Sequence, residues 1–273
     1  MRLGVSTDLG AKSAQEWAKA QKDLGCGCVT FPLNCHSDEG KIDEYVKAAK
    51  ENDLLIAEVG VWRNAISFDE DERKECLKYS IDQFALADRI GARCCVNVAG
   101  AAGKIWDGGY KENFSKEMWD RTVKMIQTVI DEVKPVNTYF SLEPMPWMIP
   151  TSPEEYLHLI EDVARDRFAV HMDIINMINC PERYFFQEEF LERTFSLLGD
   201  KIRSCHLKDV FLREDFTFQL VECACGEGAY NIEKYAELAT KADPDMPLIL
   251  EHLDSDDKYI QSLAYVKNRL GVK

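Results

Sequence analysis

The sequence predicts an α/β fold, a single-domain (β/α)8 barrel over residues 1–273. Three observations predict it. Short apolar runs alternate with longer amphipathic ones eight times, with no low-complexity linker between them. The short runs are apolar almost throughout, as parallel strands covered on both faces must be. No Gly-x-Gly-x-x-Gly follows the first run, which argues against a dinucleotide-binding sheet. Eight consecutive strand–helix units in about 250 residues suit a closed barrel better than an open doubly wound sheet.

The elements read in order as follows. LGVST (3–7) is the first strand; the helix after it begins at Ser13, buries Ala14, Trp17, Ala18 and Leu24, and closes at Gly25. CGCVTFP (26–32) precedes a helix near 41–52 with Ile42, Tyr45, Val46 and Ala49 on one face. LLIAEVGVW (54–62) leads to a long helix, 69–90, stopped by Gly91, and RCCVNVAG (93–100) leads to a helix near 115–134. TYFSLEP (138–144) precedes a helix announced by Ser152, Pro153 and Glu155, an N-cap, a first-turn proline and a capping-box acid. FAVHMDIIN (168–176) is followed by a helix near 186–198 stopped by Gly199. IRSCHLKDV (202–210) runs into a long irregular loop and a helix begun by Asn231, and PLILEHL (247–253) precedes the last helix, 256–270.

A formal net charge of −15, with lysines and arginines interleaved among acids, argues against nucleic acid and anionic lipid as partners. No run approaches the ~18 apolar residues of a membrane span. The N-terminus lacks the apolar core of a signal peptide, so the cytoplasm is the expected location. The ten cysteines form no CxxC pair and fall mostly in apolar runs, which predicts buried free thiols.

Barrel enzymes work at the C-terminal ends of their strands. Glu143 stands at the end of strand five, Asp173 on strand six, His206 on strand seven and Glu251 on strand eight. Three carboxylates converging on one mouth repel each other unless a cation sits among them, and His206 adds a neutral nitrogen ligand. The set is mostly hard oxygen, suited to Mn²⁺ first and also to Mg²⁺ or Co²⁺, with open positions for substrate oxygens. Lys208 shares the inward face of strand seven, as a substrate ligand or an ion-pair partner. His171 shares that of strand six one layer deeper, as a substrate contact or a core histidine. Asn64 and Asn97 lie near strands three and four and are candidates to bind sugar hydroxyls; Trp62, Trp106, Trp147 and Met148 are candidate rim residues.

The four ligand-type residues, with LEP (142–144), HMDIIN (171–176), CHLKD (205–209), GEG (226–228) and LEH (250–252) in that order, resemble the xylose isomerase-like TIM barrel superfamily. The likeness is strongest to its sugar phosphate isomerase/epimerase branch, which includes the ketose 3-epimerases. It implies a divalent-metal-dependent sugar isomerase or epimerase, in which Glu143 and Glu251 also serve as base and acid on opposite faces of an enediolate. The chain departs from the ketose 3-epimerase pattern at two positions that help hold substrate in that family: Asn176, a candidate substrate contact where a histidine is expected, and Arg213, one residue beyond the expected arginine.

Those departures suit a second resemblance, to the catalytic subunits of bacterial C-glycoside deglycosidases. It implies a lyase that cleaves the sugar–aryl carbon bond of 3-oxo-C-glucosides with a small β-rich partner subunit. The substrate is in either case a small sugar or glycoside, and the assembly a homo-oligomer or that hetero-complex. A metal-free binding subunit would leave the four converging ligands unexplained. The endonucleases of the superfamily use several zinc ions and many more histidines than the five present here.

Overall fold

The computed structural model describes residues 1–272. Its core strands are β1 (Arg2–Val5), β2 (Cys28–Thr30), β3 (Leu55–Gly60), β4 (Cys94–Asn97), β5 (Phe140–Leu142), β6 (Phe168–Met172), β7 (Ile202–Leu207) and β10 (Pro247–Leu250). They form one sheet in the order β1-β10-β7-β6-β5-β4-β3-β2, every ladder parallel. Between β1 and β2 the sheet closes by contact rather than by a ladder. The Gly27 amide donates to the Leu3 carbonyl at 2.8 Å. Gly4 lets the backbones touch there, since a Cβ would sit 2.4 Å from the Cys28 carbonyl oxygen. The chain is thus a single-domain, nearly closed α/β barrel.

The surrounding helices are α1 (Ala14–Asp23), α2 (Glu39–Glu51), α3 (Glu70–Ile90), α4 (Lys116–Val133), α5 (Pro153–Val163), α8 (Gln187–Leu198), α9 (Ile232–Ala242) and α10 (Asp256–Leu270). Their starts follow the expected capping chemistry: Ser13, Ser152 and Asn231 each accept an amide of the first turn. Gly91 ends α3 in the left-handed region at φ 68°. Gly199 does not end α8 that way; at φ −53° it passes into a 3-10 turn over Gly199–Lys201.

Two stretches differ from expectation. The sixth strand stops at Met172, and Asp173 caps a one-turn helix, α6 (Ile174–Met177), followed by α7 (Pro181–Phe185). The loop after β7 is not irregular. It carries an antiparallel hairpin, β8 (Asp209–Leu212) with β9 (Leu220–Cys223). All ten cysteines are unpaired and most are buried, as expected. Among the described residues no helix is long and apolar enough to cross a membrane.

Candidate metal centre

Alternation along a strand sends every second side chain into the barrel. His171 therefore points inward from β6 with Asp173 just past its end, Ser204 and His206 from β7 with Lys208 just past its end, and all five are buried. Glu143 and Glu251 directly follow β5 and β10 and are buried too. Two buried tyrosines fix the backbone where these residues leave their strands. The Tyr156 hydroxyl donates to the Leu142 carbonyl at 2.7 Å, beside Glu143. The Tyr235 hydroxyl lies 3.0 Å from the Met172 carbonyl and 3.3 Å from that of His206.

The four predicted ligands come together. Glu143, Asp173, His206 and Glu251 each present a ligand atom within 4.8 Å of the other three. His206 Nδ1 lies 2.8 Å from Glu251 Oε2 and 3.2 Å from Glu143 Oε2. That nitrogen is buried and has no partner in hydrogen-bonding geometry. An unprotonated ring nitrogen facing two carboxylate oxygens is repelled by both, so a shared cation is the natural occupant. Lys208 Nζ approaches Asp173 Oδ2 at 2.6 Å and Glu251 Oε1 at 3.0 Å. The Asp173 contact is a charge contact, because Oδ2 is out of line for a hydrogen bond. The donor set, three carboxylates and one imidazole, fits a divalent metal ion.

Without a metal the cluster shares protons unevenly. Burial pushes the Asp173 carboxyl up to about 7, against the pull of Lys208. Burial works against a charged His206, yet Glu251, Glu58 and Glu143 together hold its pKa well above the ordinary value. Glu251 stays well below the usual carboxylate range despite burial, because His206 and Lys208 flank it. His171 falls to about 4, through burial and the neighbouring His206 charge, and is neutral.

Several residues of the site escaped the sequence reading. Glu58, from β3, is 2% exposed and bonds His206 Nε2 through Oε1 at 3.2 Å. Its signal was present, a lone acid inside the apolar run LLIAEVGVW. Glu222 reaches in from the hairpin, 3.2 Å from Lys208 Nζ, and holds His252 Nδ1 at 3.0 Å. Asp209 shapes that hairpin by accepting the amides of Val210, Gly226, Gly228 and Tyr230 at 2.8–3.1 Å. A Cβ on Gly228 would lie 2.2 Å from Asp209 Oδ1, which explains the second glycine of GEG.

A cavity of about 420 Å³ opens over the cluster, with Glu143 and Glu251 on its floor and Trp62, Trp106, Met145 and His252 on its walls. A larger hollow, about 770 Å³, lies outside the barrel between α3 and α4. It contains none of the converging ligands, so the smaller cavity is the one with chemistry.

The predicted substrate contacts divide. Trp106 lines the cavity. Asn176 Nδ2 donates to Glu143 Oε1 at 3.0 Å, so it orients a candidate metal ligand. Asn97 spends both ends of its amide on the Arg63 backbone, and Asn64 donates to the Ala101 carbonyl at 2.8 Å; both are braces of the rim loops. Trp147 is exposed, and its indole donates to the Asp107 carbonyl at 2.7 Å. Met148 is buried. His171 is fully buried beneath the ligands, packed edge-on against His206 with ring centroids 4.1 Å apart. Arg213 pairs with Asp215 at 3.0 Å, an exposed pair on the hairpin.

The fold has well-matched relatives among solved structures. A D-psicose 3-epimerase from Clostridium cellulolyticum H10, solved with D-tagatose, superposes with a TM-score of 0.73 at 14% identity, covering 99% of this chain and 98% of its own. The 3-keto-D-glucoside 4-epimerase of E. coli gives a TM-score of 0.71 at 16% identity, over 98% and 99% of the two chains. A xylose isomerase-like barrel protein from Mycobacterium smegmatis, solved in complex with magnesium, gives 0.69 at 17% identity, over 98% and 93%. Identities this low establish the shared fold. No curated protein matches the chain by sequence. The family model described as xylose isomerase-like TIM barrel matches residues 11–269, nearly the entire sequence. This chain is a member of the xylose isomerase-like TIM barrel family.

Proposed function

We propose that the chain is a divalent-metal-dependent enzyme that moves a proton beside a metal-polarised carbonyl of a sugar or keto-sugar, a sugar isomerase or epimerase. The observation that carries this reading is the convergence of Glu143, Asp173, His206 and Glu251 under one cavity. A bound ion, Mn²⁺ first and Mg²⁺ or Co²⁺ within the same donor preference, supplies Lewis-acid polarisation of a substrate carbonyl. Glu143 and Glu251 then hold and move the proton at carbon, one removing it and the other returning one to the opposite face. Asn176 steadies Glu143 through Oε1 and leaves Oε2 toward His206. Lys208, bonded to Glu251 Oε1, favours the carboxylate form of that residue. The epimerases among the fold relatives, and the magnesium complex of another, support the same chemistry. Unpaired thiols throughout the chain suit a reducing cytoplasm.

A second reading rests on the aromatic walls. Trp62 and Trp106 flank the cavity, and Phe211, Phe216 and Phe218 stand exposed on the hairpin. An aryl group could stack on the tryptophans, and a small β-rich subunit could cover the hairpin phenylalanines. That arrangement fits a lyase of the C-glycoside deglycosidase type.

One experiment separates the two. Metal-loaded protein, with and without a small β-rich subunit, is incubated in D₂O with free ketohexoses and with a 3-oxo-C-glucoside. Deuterium entering a ketose at C3 supports the epimerase, and release of the aglycone supports the lyase. Glu143→Gln should abolish whichever activity appears. A purified wild-type protein that takes up no divalent metal and turns over neither substrate would sink both readings.

A further inference from the structure

We infer that Glu58 is a positioning residue for the metal centre: from the opposite side of the barrel it fixes the tautomer and orientation of the His206 imidazole. This rests on the metal reading above and does not depend on which sugar is turned over.

A neutral imidazole carries its proton on one nitrogen and a lone pair on the other. Glu58 Oε1 lies 3.2 Å from His206 Nε2, and an ionised carboxylate only accepts hydrogen bonds. The proton therefore belongs on Nε2, and the lone pair on Nδ1 faces Glu143 and Glu251, where a cation would sit. The carboxylate is itself held at both oxygens. Thr30 Oγ1 donates to Oε1 at 3.0 Å, and Ser204 Oγ donates to Oε2 at 3.3 Å. His171 Nε2 stands 3.2 Å from Oε2, out of line for a hydrogen bond, and its ring walls His206 at 75°. Glu58, His171 and His206 are each 3% exposed or less, so loss of the Glu58 carboxylate cannot readily be made good by solvent.

The partners span distant parts of the chain: β3 supplies Glu58, and β7 supplies His206, 148 residues later. A metal-ligating histidine held by a carboxylate on its other nitrogen is a more basic and better aimed ligand. Glu58 also lines the cavity over the cluster, but in this role it acts through His206.

The test is metal affinity of the full chain, measured without substrate. Metal-stripped wild type and Glu58→Gln are titrated with Mn²⁺, and free Mn²⁺ is read by electron paramagnetic resonance. The variant should bind about 10- to 100-fold more weakly, with Glu58→Asp recovering part of the loss. Long-range ¹H–¹⁵N NMR with diamagnetic Mg²⁺ reads the ring directly. Wild type should show a strongly downfield His206 Nε2 proton, held by the carboxylate, and Glu58→Gln one moved upfield toward the ordinary imidazole range. If Glu58→Gln does not fold, Thr30→Val frees one side of the clamp and should still weaken Mn²⁺ binding about 3- to 10-fold, a fraction of the loss for the carboxylate itself. A folded variant with wild-type affinity and an unchanged His206 Nε2–H signal overturns the proposal. So does unchanged affinity in Thr30→Val when Glu58→Gln is insoluble. Two Mn²⁺ ions per chain would also overturn it, because Glu58, His171 and His206 would then be ligands of the second. Wild type that binds no Mn²⁺ instead removes the metal reading, and loss of turnover on one sugar touches neither.

Discussion

Lys208 Nζ and Asp173 Oδ2 stand 2.6 Å apart at the mouth of the barrel, each side chain 1% exposed. The same ammonium reaches Glu251 and Glu222, so one buried cation balances three carboxylates. Removing it leaves those acids crowded and uncompensated. Lys208→Met should cost the metal-free protein about 3–5 kcal/mol of stability, the usual penalty for breaking a buried pair. Saturating Mn²⁺ should recover part of that. Denaturant midpoints with and without metal check it; a metal-free variant within about 1 kcal/mol of wild type contradicts it.

Metal binding should strengthen as pH rises. In the metal-free protein Asp173 titrates at about 7 and His206 well above its ordinary value, so both carry protons near neutrality. Ligation requires both without their protons, and each unit of added pH therefore favours the ion. Calorimetry in buffers of different ionisation heat should find about one to two protons released per Mn²⁺ at pH 7. Affinity that is flat between about pH 6 and 8 would refute the protonation pattern.

Tyr235 ties β6 to β7 immediately beside two ligands. Phenylalanine at this position keeps the ring and removes the one hydroxyl proton that the two carbonyls share. Tyr235→Phe should lower stability by about 1–2 kcal/mol, read from urea unfolding, with weaker Mn²⁺ binding as the ends of both strands loosen. Equal stability would mean those carbonyls find other partners.

Asp209 gathers four backbone amides around one carboxylate. Alanine there leaves buried donors unpaired, at about 1–3 kcal/mol for each that finds no substitute. Hydrogen exchange in Asp209→Ala should accelerate across residues 209–231 and stay near wild type in β4 and β5. Uniform acceleration over the whole barrel would show that the loop is not a separate folding unit.

Much of the site was legible because strand ends in a parallel barrel converge. In a closed barrel of eight strand–helix units, Glu143, Asp173, His206 and Glu251, at the ends of four consecutive strands, lie near one mouth. The braces were harder to read. Asn64 and Asn97 look like sugar ligands in a line of text, but their amides are bound by the backbone of Arg63 and Ala101. Glu222 could not be placed, because a hairpin rather than an irregular loop carries it back over Lys208.

The sequence by itself determined the barrel, its capped helices and the ligand types, because apolar periodicity and capping act over a few residues at a time. Only the tertiary structure decided which groups answer the ligands from behind. Glu58 meets His206 across 148 residues, and Tyr235 meets Met172 across 63. Such contacts depend on strand register and on which face each side chain takes once the barrel closes, and neither quantity is written in a local pattern.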